Sequence, residues 1–403
     1  MVGNDGSIEL AKVDRIGMRT VGTVARGIRT PMINKGDDLQ QIVVDCVLRA
    51  ATDNGFELND RDVVGVTESV IARAQNNYAS YEQVAHDIRS KFPDGTVGVV
   101  FPIFSRNRFG NHLKGIAAGC DKLYLMLSYP SDEFGNSLFA SELLDSTGVN
   151  PYSDVLDEAT YREKFGSDSK HLFTGMDYVE YYKSFGDNIE IIFANDARRI
   201  LDYTKQVLCC DVHSRFTTKR QLKEAGAEVV YGLDDILSSP VQGSGYNETY
   251  GLLGANKSSD DMLKLFPRDC DEFVVDVANK FKSVTGKNIE VMVFADGAFK
   301  DPIGGIWELA DPVVSPAYTP GIDGVPNEIK LKLLLDNELA GNSKEALDDE
   351  VIAAIKAKAG ESLGTTPRRY SDLIGSLCDL MSGSGDKGTP VVLVQGYFDN
   401  YSS

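Results

Sequence analysis

The chain has 403 residues, of which 42% are hydrophobic and 25% are charged, a balance typical of a soluble globular protein with one or two domains. Its formal net charge of -19 argues against nonspecific binding to nucleic acid or anionic membranes, although a local arginine cluster could still bind phosphate. There is no long apolar run, no secretory signal pattern and no CxxC pair among the six scattered cysteines. We therefore expect a cytoplasmic protein with reduced thiols and without nucleic-acid or membrane partners.

Runs of β-branched and aromatic residues predict strands along the whole chain. In chain order these cover residues 16–24, 62–67, 96–104, 122–129, 189–194, 206–212, 227–233, 289–295 and 390–398. Apolar residues at helical spacing predict helices over residues 37–55, 81–92, 219–226, 260–266, 271–286 and 349–360. Because both kinds of element occur throughout, we predict a mixed α/β protein of the α+β class with mixed sheets.

Two stretches are less regular than the rest. Residues 131–188 are rich in Asp, Ser, Gly and Tyr and contain only short helical pieces. Residues 311–348 are rich in proline, which favours an ordered loop over a site or a connection between two halves. We predict an N-terminal nucleotide-binding part over residues 1–195, with 131–188 as an irregular insertion, and a C-terminal α/β part over 196–403.

The first candidate motif is ARGIRTPMINKGDDL, residues 25–39. Pro31 restricts the backbone and removes a donor, so the segment Thr30, Pro31, Met32 and Ile33 is expected to be extended. An extended loop of this kind can offer backbone groups to a flat base. The alternative is a plain connection between a strand and a helix.

The second motif, DVVGVTESVIARAQNN, covers residues 62–77 and ends a predicted buried strand in polar residues. Glu68 and Ser69 would stand at the carboxyl end of the strand, where ligands of α/β sheets collect. Ser69 and Arg73 are four residues apart and would face the same side of a helix, so Arg73 could bind phosphate oxygens. The alternative is a serine that caps the helix, with the arginine in solvent.

The motif FPIFSRNRFGNHLKGIA, residues 101–117, places cations and amides after a predicted strand. Arg106, Asn107 and Arg108 would suit a carboxylate or phosphate at this position. A solvated loop is the alternative interpretation.

The motif CCDVHSRF, residues 209–216, again follows a strand. Asp211 beside the hydroxyl of Ser214 would make a ligand pair for Mg²⁺ or Mn²⁺, and Arg215 adds a cation. His213 could act as a general base or have only a structural role.

Two motifs in the C-terminal half complete the candidates. In GSGYNETYGLLGANKSSDD, residues 243–261, Glu248 could bind a metal and Lys257 a phosphate. In FADGAFKDPIGGIWELADP, residues 294–312, Asp296 follows a strand.

Walker-type, GxGxxG, GxSxG and HExxH motifs are absent from the sequence. Strand-end carboxylates, cations and glycine-rich loops together indicate metal-assisted phosphoryl transfer.

The segments TPMINKGDDLQQIV and DRDVVGVTESVIARAQ, residues 30–43 and 60–75, resemble the γ-glutamyl ligase family that adds L-glutamate to the deazaflavin coenzyme factor 420-0. That family has a P-[LM]-I-x-x-G-D-D-L segment and then a strand that ends in a polar pair before V-[IV]-S-K-A-E-G. The resemblance is most specific over residues 20–80. It implies a cytosolic homodimer with a fold of its own, which uses GTP and Mg²⁺ or Mn²⁺ to join L-glutamate to a carboxylate-bearing acceptor through an acyl phosphate.

The resemblance and the motifs together define a predicted site. It comprises Thr30, Pro31, Met32, Ile33, Glu68, Ser69, Arg73, Asn107 and Lys257 for the nucleotide, Asp211, Glu248 and Asp296 for the metal, and Arg73, Arg106 and Arg215 for catalysis. Arg73 stands where the family has a lysine, and Val212 stands where it has a metal-binding hydroxyl. The acceptor could be a deazaflavin or a folate-like molecule. The alternatives are a phosphotransferase or another amide ligase on the same scaffold, or a non-catalytic nucleotide-binding regulator.

Overall fold

The computed structural model describes residues 21–106, 108–166, 169–171, 174–296, 299–300, 307–308, 313–327, 330–333, 336, 344–357, 368–382 and 386–400. The strands, in chain order, are β1 Val24–Ile28, β2 Val63–Thr67, β3 Tyr78–Ser80, β4 Thr96–Val100, β5 Lys122–Leu127, β6 Leu156–Asp157, β7 Ile189–Phe193, β8 Gln206–Cys209, β9 Val229–Gly232, β10 Asn256–Lys257, β11 Met262–Lys264, β12 Glu290–Phe294, β13 Phe299–Lys300, β14 Trp307–Glu308, β15 Ala317–Tyr318 and β16 Val391–Gln395.

The α-helices, in chain order, are α1 Leu39–Asn54, α2 Glu68–Ala74, α3 Tyr81–Lys91, α4 Phe109–Ala118, α5 Glu142–Asp145, α6 Glu158–Phe165, α7 Tyr178–Lys183, α8 Arg215–Glu224, α9 Cys270–Thr285, α10 Leu331–Leu333, α11 Lys344–Ala357 and α12 Tyr370–Ser382. None of the helices in the described ranges is long and apolar enough to cross a membrane.

A five-stranded sheet has the order β1-β16-β2-β12-β15, in which only β2 and β12 run parallel. Helices α1 and α9 pack on one face and α12 packs on the other. Gly65 in β2 makes this second face possible, since a Cβ at that position would lie 2.6 Å from the Sγ of Cys378 in α12. The strand VVGVT therefore needs its glycine for close helix packing.

A six-stranded sheet has the order β6-β7-β5-β4-β8-β9, and all neighbours except β6 and β7 are parallel. Val97 and Val99 in β4 face one hydrophobic core, whereas Val100 faces the core on the opposite side. The chain first builds the sheet from β4 through β5 to β7, and then returns to the other side of β4 to add β8 and β9. The strand order thus reverses between β4 and β8, which is where ligands of doubly wound sheets bind.

A three-stranded sheet has the order β10-β11-β3, and both of its strand pairs are antiparallel. Residues 260–266 were expected to form a helix, and this prediction is wrong, because β11 pairs with β3 there. The burial alternates along the segment, with Leu263 and Leu265 buried and Met262 and Lys264 partly exposed. A period of two is the pattern of a strand, which a short apolar run does not distinguish from a helix.

The mixed α/β class is confirmed, and most predicted elements occur within a few residues of their expected positions. The predicted strand at 16–24 lies mostly outside the described residues, and β1 begins only at Val24. The insertion 131–188 contains short elements, namely β6, α5, α6 and α7. The division at residue 195 stays a prediction; β7 and β8, from its two sides, belong to the same sheet.

Candidate active site

The point where the six-stranded sheet reverses its order holds a small crevice. The loops after β4 and β8 line it, together with residues from α4 and from the segment 233–254. Its lining consists of Ile103, Arg108, Phe109, His112, Cys210, Val212, Leu233, Leu253 and Gly254. The enclosed space has room for about one water molecule. The crevice is therefore mainly apolar, with one guanidinium and one imidazole in its lining.

Backbone N–H groups converge at the edge of this crevice, where β8 turns into α8. Those of Val212, His213 and Ser214 all donate to the carboxylate of Glu133. The Ser214 hydroxyl donates to the same carboxylate over 3.0 Å. The positive end of the α8 dipole adds to the attraction for an anion. This cluster of donors is built to bind an oxyanion, and a side chain of the protein occupies it.

Glu133 is a residue that the sequence reasoning missed. It lies in the run SDEFGN directly after β5, inside the segment interpreted only as an irregular insertion. The available signal was its position, since it follows a predicted strand just as Asp211 and Asp296 do. The composition of the longer segment obscured that signal.

Asp211 follows β8 as predicted and is 1% exposed. Its Oδ2 accepts a hydrogen bond of 2.6 Å from the Thr218 hydroxyl, but its Oδ1 has no partner among the described residues. Burial raises the pKa of the Asp211 carboxyl, and the charge of the nearby Glu133 raises it further. A buried carboxylate oxygen without a donor is costly unless a proton, a water molecule or a ligand satisfies it.

Arg215, predicted to be catalytic, is held within the protein. Its guanidinium donates to the carbonyl of Val212 and forms an ion pair with Asp234 over 3.2 Å. Lys219 binds the same aspartate over 2.8 Å. In this arrangement Arg215 fixes the turn between β8 and α8, and so supports the cluster of N–H groups.

His112 in α4 lines the crevice and is 3% exposed. Its Nε2 lies 2.9 Å from the carbonyl of Ala255, so Nε2 must be the protonated nitrogen. Its Nδ1 is then an acceptor and has no partner among the described residues. Burial lowers the pKa of His112 from 6.5 to about 4. The imidazole is therefore neutral at physiological pH.

This burial of His112 predicts a specific dependence of stability on pH. Between pH 4 and 6.5 the unfolded chain binds a proton at His112 and the folded protein does not, so stability falls as the pH falls through this window. The expected loss is about 3 kcal/mol, complete near pH 4. His112→Gln keeps a donor for Ala255 and lacks the titration. Urea unfolding from pH 4 to 7 should show the loss in the wild type and not in the variant; parallel curves would contradict it.

The polar residues Thr67, Glu68 and Ser69 lie at the carboxyl end of β2 in the five-stranded sheet. Glu68 is buried, and one of its oxygens accepts a 2.8 Å hydrogen bond from Thr67. The hydroxyl of Ser69 accepts a hydrogen bond from Lys264 in β11, a cation that the sequence reasoning also missed. Since β2 and β12 are parallel, Asp296 stands at the same edge. The structure thus brings Glu68, Ser69 and Asp296 to one end of one sheet.

Asp296 connects this edge to the crevice of the other sheet. Its carboxylate forms a 2.8 Å ion pair with Arg108, whose side chain is 11% exposed. Arg108 also lines the crevice between β4 and β8. The two predicted strand-end carboxylates, Asp211 and Asp296, therefore belong to different sheets with Arg108 between their loops.

The segment 30–33 lies against α2. The Nε of Arg73 donates to the carbonyl of Ile33, which is itself buried. Thr30 is partly exposed, Pro31 is exposed, and Met32 is 80% exposed. Arg73 thereby positions the loop, while Pro31 and Met32 remain exposed on its surface.

Two further residues of the predicted site, Lys257 and Glu248, are exposed on the surface. Lys257 forms a 2.9 Å ion pair with the exposed Asp260. Glu248 is exposed, and its neighbour Asn247 organises the loop through bonds to Thr249 and Tyr250. Asn107 lies outside the described residues.

Arg106 is exposed, and its guanidinium has no hydrogen bond or ion pair with the described part of the chain. Its backbone carbonyl accepts hydrogen bonds of 2.9 Å from the Tyr181 hydroxyl and from the Asn111 amide. The main chain is therefore fixed while the cationic group is available to a ligand.

A metal site formed by the three predicted carboxylates does not fit this geometry. In the ranges that the structure describes, no three His, Cys, Asp or Glu side chains converge as ligands of one metal ion. Asp211, Glu248 and Asp296 lie on different loops, and Asp296 is engaged by Arg108. Asp211 alone retains an unpartnered buried oxygen.

The sequence profile of the F420-0:gamma-glutamyl ligase family matches residues 27–396, nearly the whole chain. The chain belongs to the F420-0:gamma-glutamyl ligase family. It is therefore an enzyme of the ligase class, and the predicted resemblance, first seen in residues 30–43 and 60–75, is confirmed. No individually curated protein matches the chain. The matched range includes the crevice at Asp211 and the polar residues Glu68 and Ser69 after β2.

Proposed function

We propose that the protein is a GTP-dependent γ-glutamyl ligase that joins L-glutamate to a carboxylate-bearing small molecule, either factor 420-0 or a folate-like acceptor. The observation that carries this proposal is the family match over residues 27–396. The oxyanion-binding turn at residues 212–214 and the exposed Arg106 support it, since both offer donors to anionic substrates.

The proposed reaction has two balanced steps. A carboxylate oxygen of the acceptor attacks the γ-phosphorus of GTP, which gives an acyl phosphate and GDP. The neutral amine of L-glutamate then attacks the acyl carbon, the C–O bond to phosphate breaks, and an amide, phosphate and a proton result. The protein has to hold three anionic substrates together, so cations and N–H donors are the groups that this chemistry requires.

We propose that segment 30–33, Glu68 and Ser69 contact the nucleotide and that Arg106 contacts the transferring phosphoryl group. Dependence on Mg²⁺ or Mn²⁺ is part of the proposal, because Mg²⁺ commonly reaches such sites with the substrate phosphates and keeps several waters. A cytoplasmic homodimer is the assembly that we propose with this activity.

Phosphate release tests the proposed function directly. GTP or ATP would be supplied with Mg²⁺ or Mn²⁺, L-glutamate and a panel of deazaflavin and folate acceptors, and products would be identified by mass. We expect release that requires both L-glutamate and one acceptor, with an acceptor mass increased by one glutamyl residue. Glutamate-independent release would favour a phosphotransferase. Nucleotide binding without release under every mixture would favour a regulator.

A further inference from the structure

The side chain of Lys264 in β11 reaches the carboxyl end of β2 in the five-stranded sheet. Its ammonium donates a hydrogen bond to the hydroxyl of Ser69, in the first turn of the helix that follows this strand. Leu263 and Leu265 are buried, whereas Lys264 is partly exposed, because successive side chains of a strand point to opposite faces. In the part of the chain that the structure describes, the ammonium has no carboxylate partner. Its positive charge is therefore not neutralised by this part of the protein.

The backbone around Lys264 is attached to the same segment that carries Ser69. Strand β11 is paired with β3, which follows α2 in the chain. Beyond β11, the backbone of Arg268 exchanges two hydrogen bonds of 2.7 and 2.8 Å with the side chain of Gln75, at the end of α2. The ammonium is therefore positioned before any ligand binds, which lowers the ordering cost of binding.

Lys264 takes a place that the sequence reasoning gave to Arg73. Arg73 lies on α2 one turn after Ser69, but its Nε donates to the carbonyl of Ile33 and so ties segment 30–33 to the helix. Lys264 stands 195 positions after Ser69 in the chain and contacts it directly. The cation beside the Ser69 hydroxyl thus comes from β11.

We propose that Lys264 binds a phosphate oxygen of the nucleotide and that Ser69 positions its ammonium. This inference rests on the proposed function and adds a phosphate-binding residue to it. The Ser69 hydroxyl accepts the hydrogen bond from Lys264, so its own O–H can still donate, and the ammonium has two further N–H donors. One positive charge and several donors at a strand end suit a phosphate group, since charge-assisted hydrogen bonds are the strong ones.

Displacement of a fluorescent GTP analogue by GTP and by guanosine, measured on the full chain with Mg²⁺, tests the inference. Lys264→Gln keeps a donor for Ser69 but removes the charge, and it is expected to weaken GTP about 30-fold and to leave guanosine unchanged. Lys264→Arg keeps the charge and should hold GTP within about threefold of the wild type. Lys122→Gln is the matched control, because Lys122 is also a partly exposed strand lysine but pairs with Glu190 over 2.7 Å. It should change neither ligand.

Several results would overturn the inference. One is equal GTP affinity in the wild type and Lys264→Gln. Another is an equal loss of GTP and guanosine, which would indicate that the substitution disturbs the whole edge of the sheet. A third is weaker L-glutamate binding with GTP unaffected, which would assign the ammonium to a carboxylate. A wild type that does not bind GTP would contradict both this inference and the proposed function.

Phosphate release from the same variants separates the inference from the proposed function. Glutamate-dependent release with an unchanged KM for GTP in Lys264→Gln would retain the ligase and reject the phosphate contact. GTP binding that weakens as expected, with no release in the wild type on any acceptor, would retain the phosphate contact and reject the ligase.

Discussion

Arg106→Ala is expected to lower kcat by about 100- to 1,000-fold, the usual cost of removing one donor that stabilises transition-state charge. The side chain is exposed and unpaired in the described structure, so the free energy of unfolding should stay within about 0.5 kcal/mol of the wild type. Its main-chain carbonyl accepts hydrogen bonds from Tyr181 and Asn111, which fixes the backbone of the loop between β4 and α4. Single-turnover phosphate release and urea unfolding measure the two quantities.

Arg198→Ala is the matched control for this substitution. Arg198 is also an exposed arginine after a strand of the six-stranded sheet, but it already forms an ion pair with Asp196 over 2.7 Å. Both substitutions remove one positive charge, but only Arg106→Ala removes a guanidinium that is not already paired with a carboxylate of the described chain. Equal kcat values for the two variants would show that Arg106 affects only the overall charge. A loss of unfolding free energy in Arg106→Ala well above about 0.5 kcal/mol would indicate a structural role. We expect such a role for Arg215, which bonds to Val212 and Asp234.

Asn77→Leu is expected to lower the free energy of unfolding by about 4 kcal/mol, the largest stability effect that we predict. Asn77 is fully buried and donates to the carbonyls of Tyr246 and Phe266. Its Oδ1 accepts from the Tyr246 N–H and from Arg268. Leucine has the same branched skeleton of side-chain heavy atoms but leaves all four of these groups without their partner, and each lost bond costs about 1 kcal/mol.

The control for Asn77→Leu is Asn54→Leu. Asn54 is exposed at the end of α1 and makes one hydrogen bond, to the carbonyl of Ala50 over 2.9 Å. We expect this change to stay within about 0.5 kcal/mol of the wild type, since water replaces the lost partner. Urea unfolding of both variants measures the difference. A loss below about 1 kcal/mol for Asn77→Leu would mean that water or a shifted backbone satisfies the freed groups.

The effect of Asn77→Leu should extend to the edge of the five-stranded sheet where we propose that the nucleotide binds. Asn77 joins the end of α2 to the segments around Tyr246 and Phe266, and Gln75 binds the backbone of Arg268 in the same region. Lys264 reaches Ser69 from the adjacent strand. We therefore expect a raised KM for the nucleotide in addition to the lower stability.

Local sequence patterns predicted the elements themselves with good accuracy. Helix α1 was expected over 37–55 and spans Leu39–Asn54, with Gly55 at the left-handed position that ends it. The strand at 62–67 and its polar end were predicted because β-branched runs and strand ends have clear residue preferences. The prediction of a helix at 260–266 was wrong because, over so few residues, the apolar spacing fits both the helical period and the strand period.

The sequence by itself determined the family, the mixed α/β class and the positions of the polar strand ends at Glu68, Asp211 and Asp296. Only the tertiary structure decided which of these meet. Glu133 binds residues 212–214 from nearly eighty positions away, and Arg73 binds the carbonyl of Ile33 from forty. Such contacts follow from strand order and register, which depend on nonlocal pairing and leave no periodic signal in the chain. The sequence therefore showed which polar groups are present. The fold decided which of them already have a partner, as Arg215 does, and which have none among the described residues, as for Arg106.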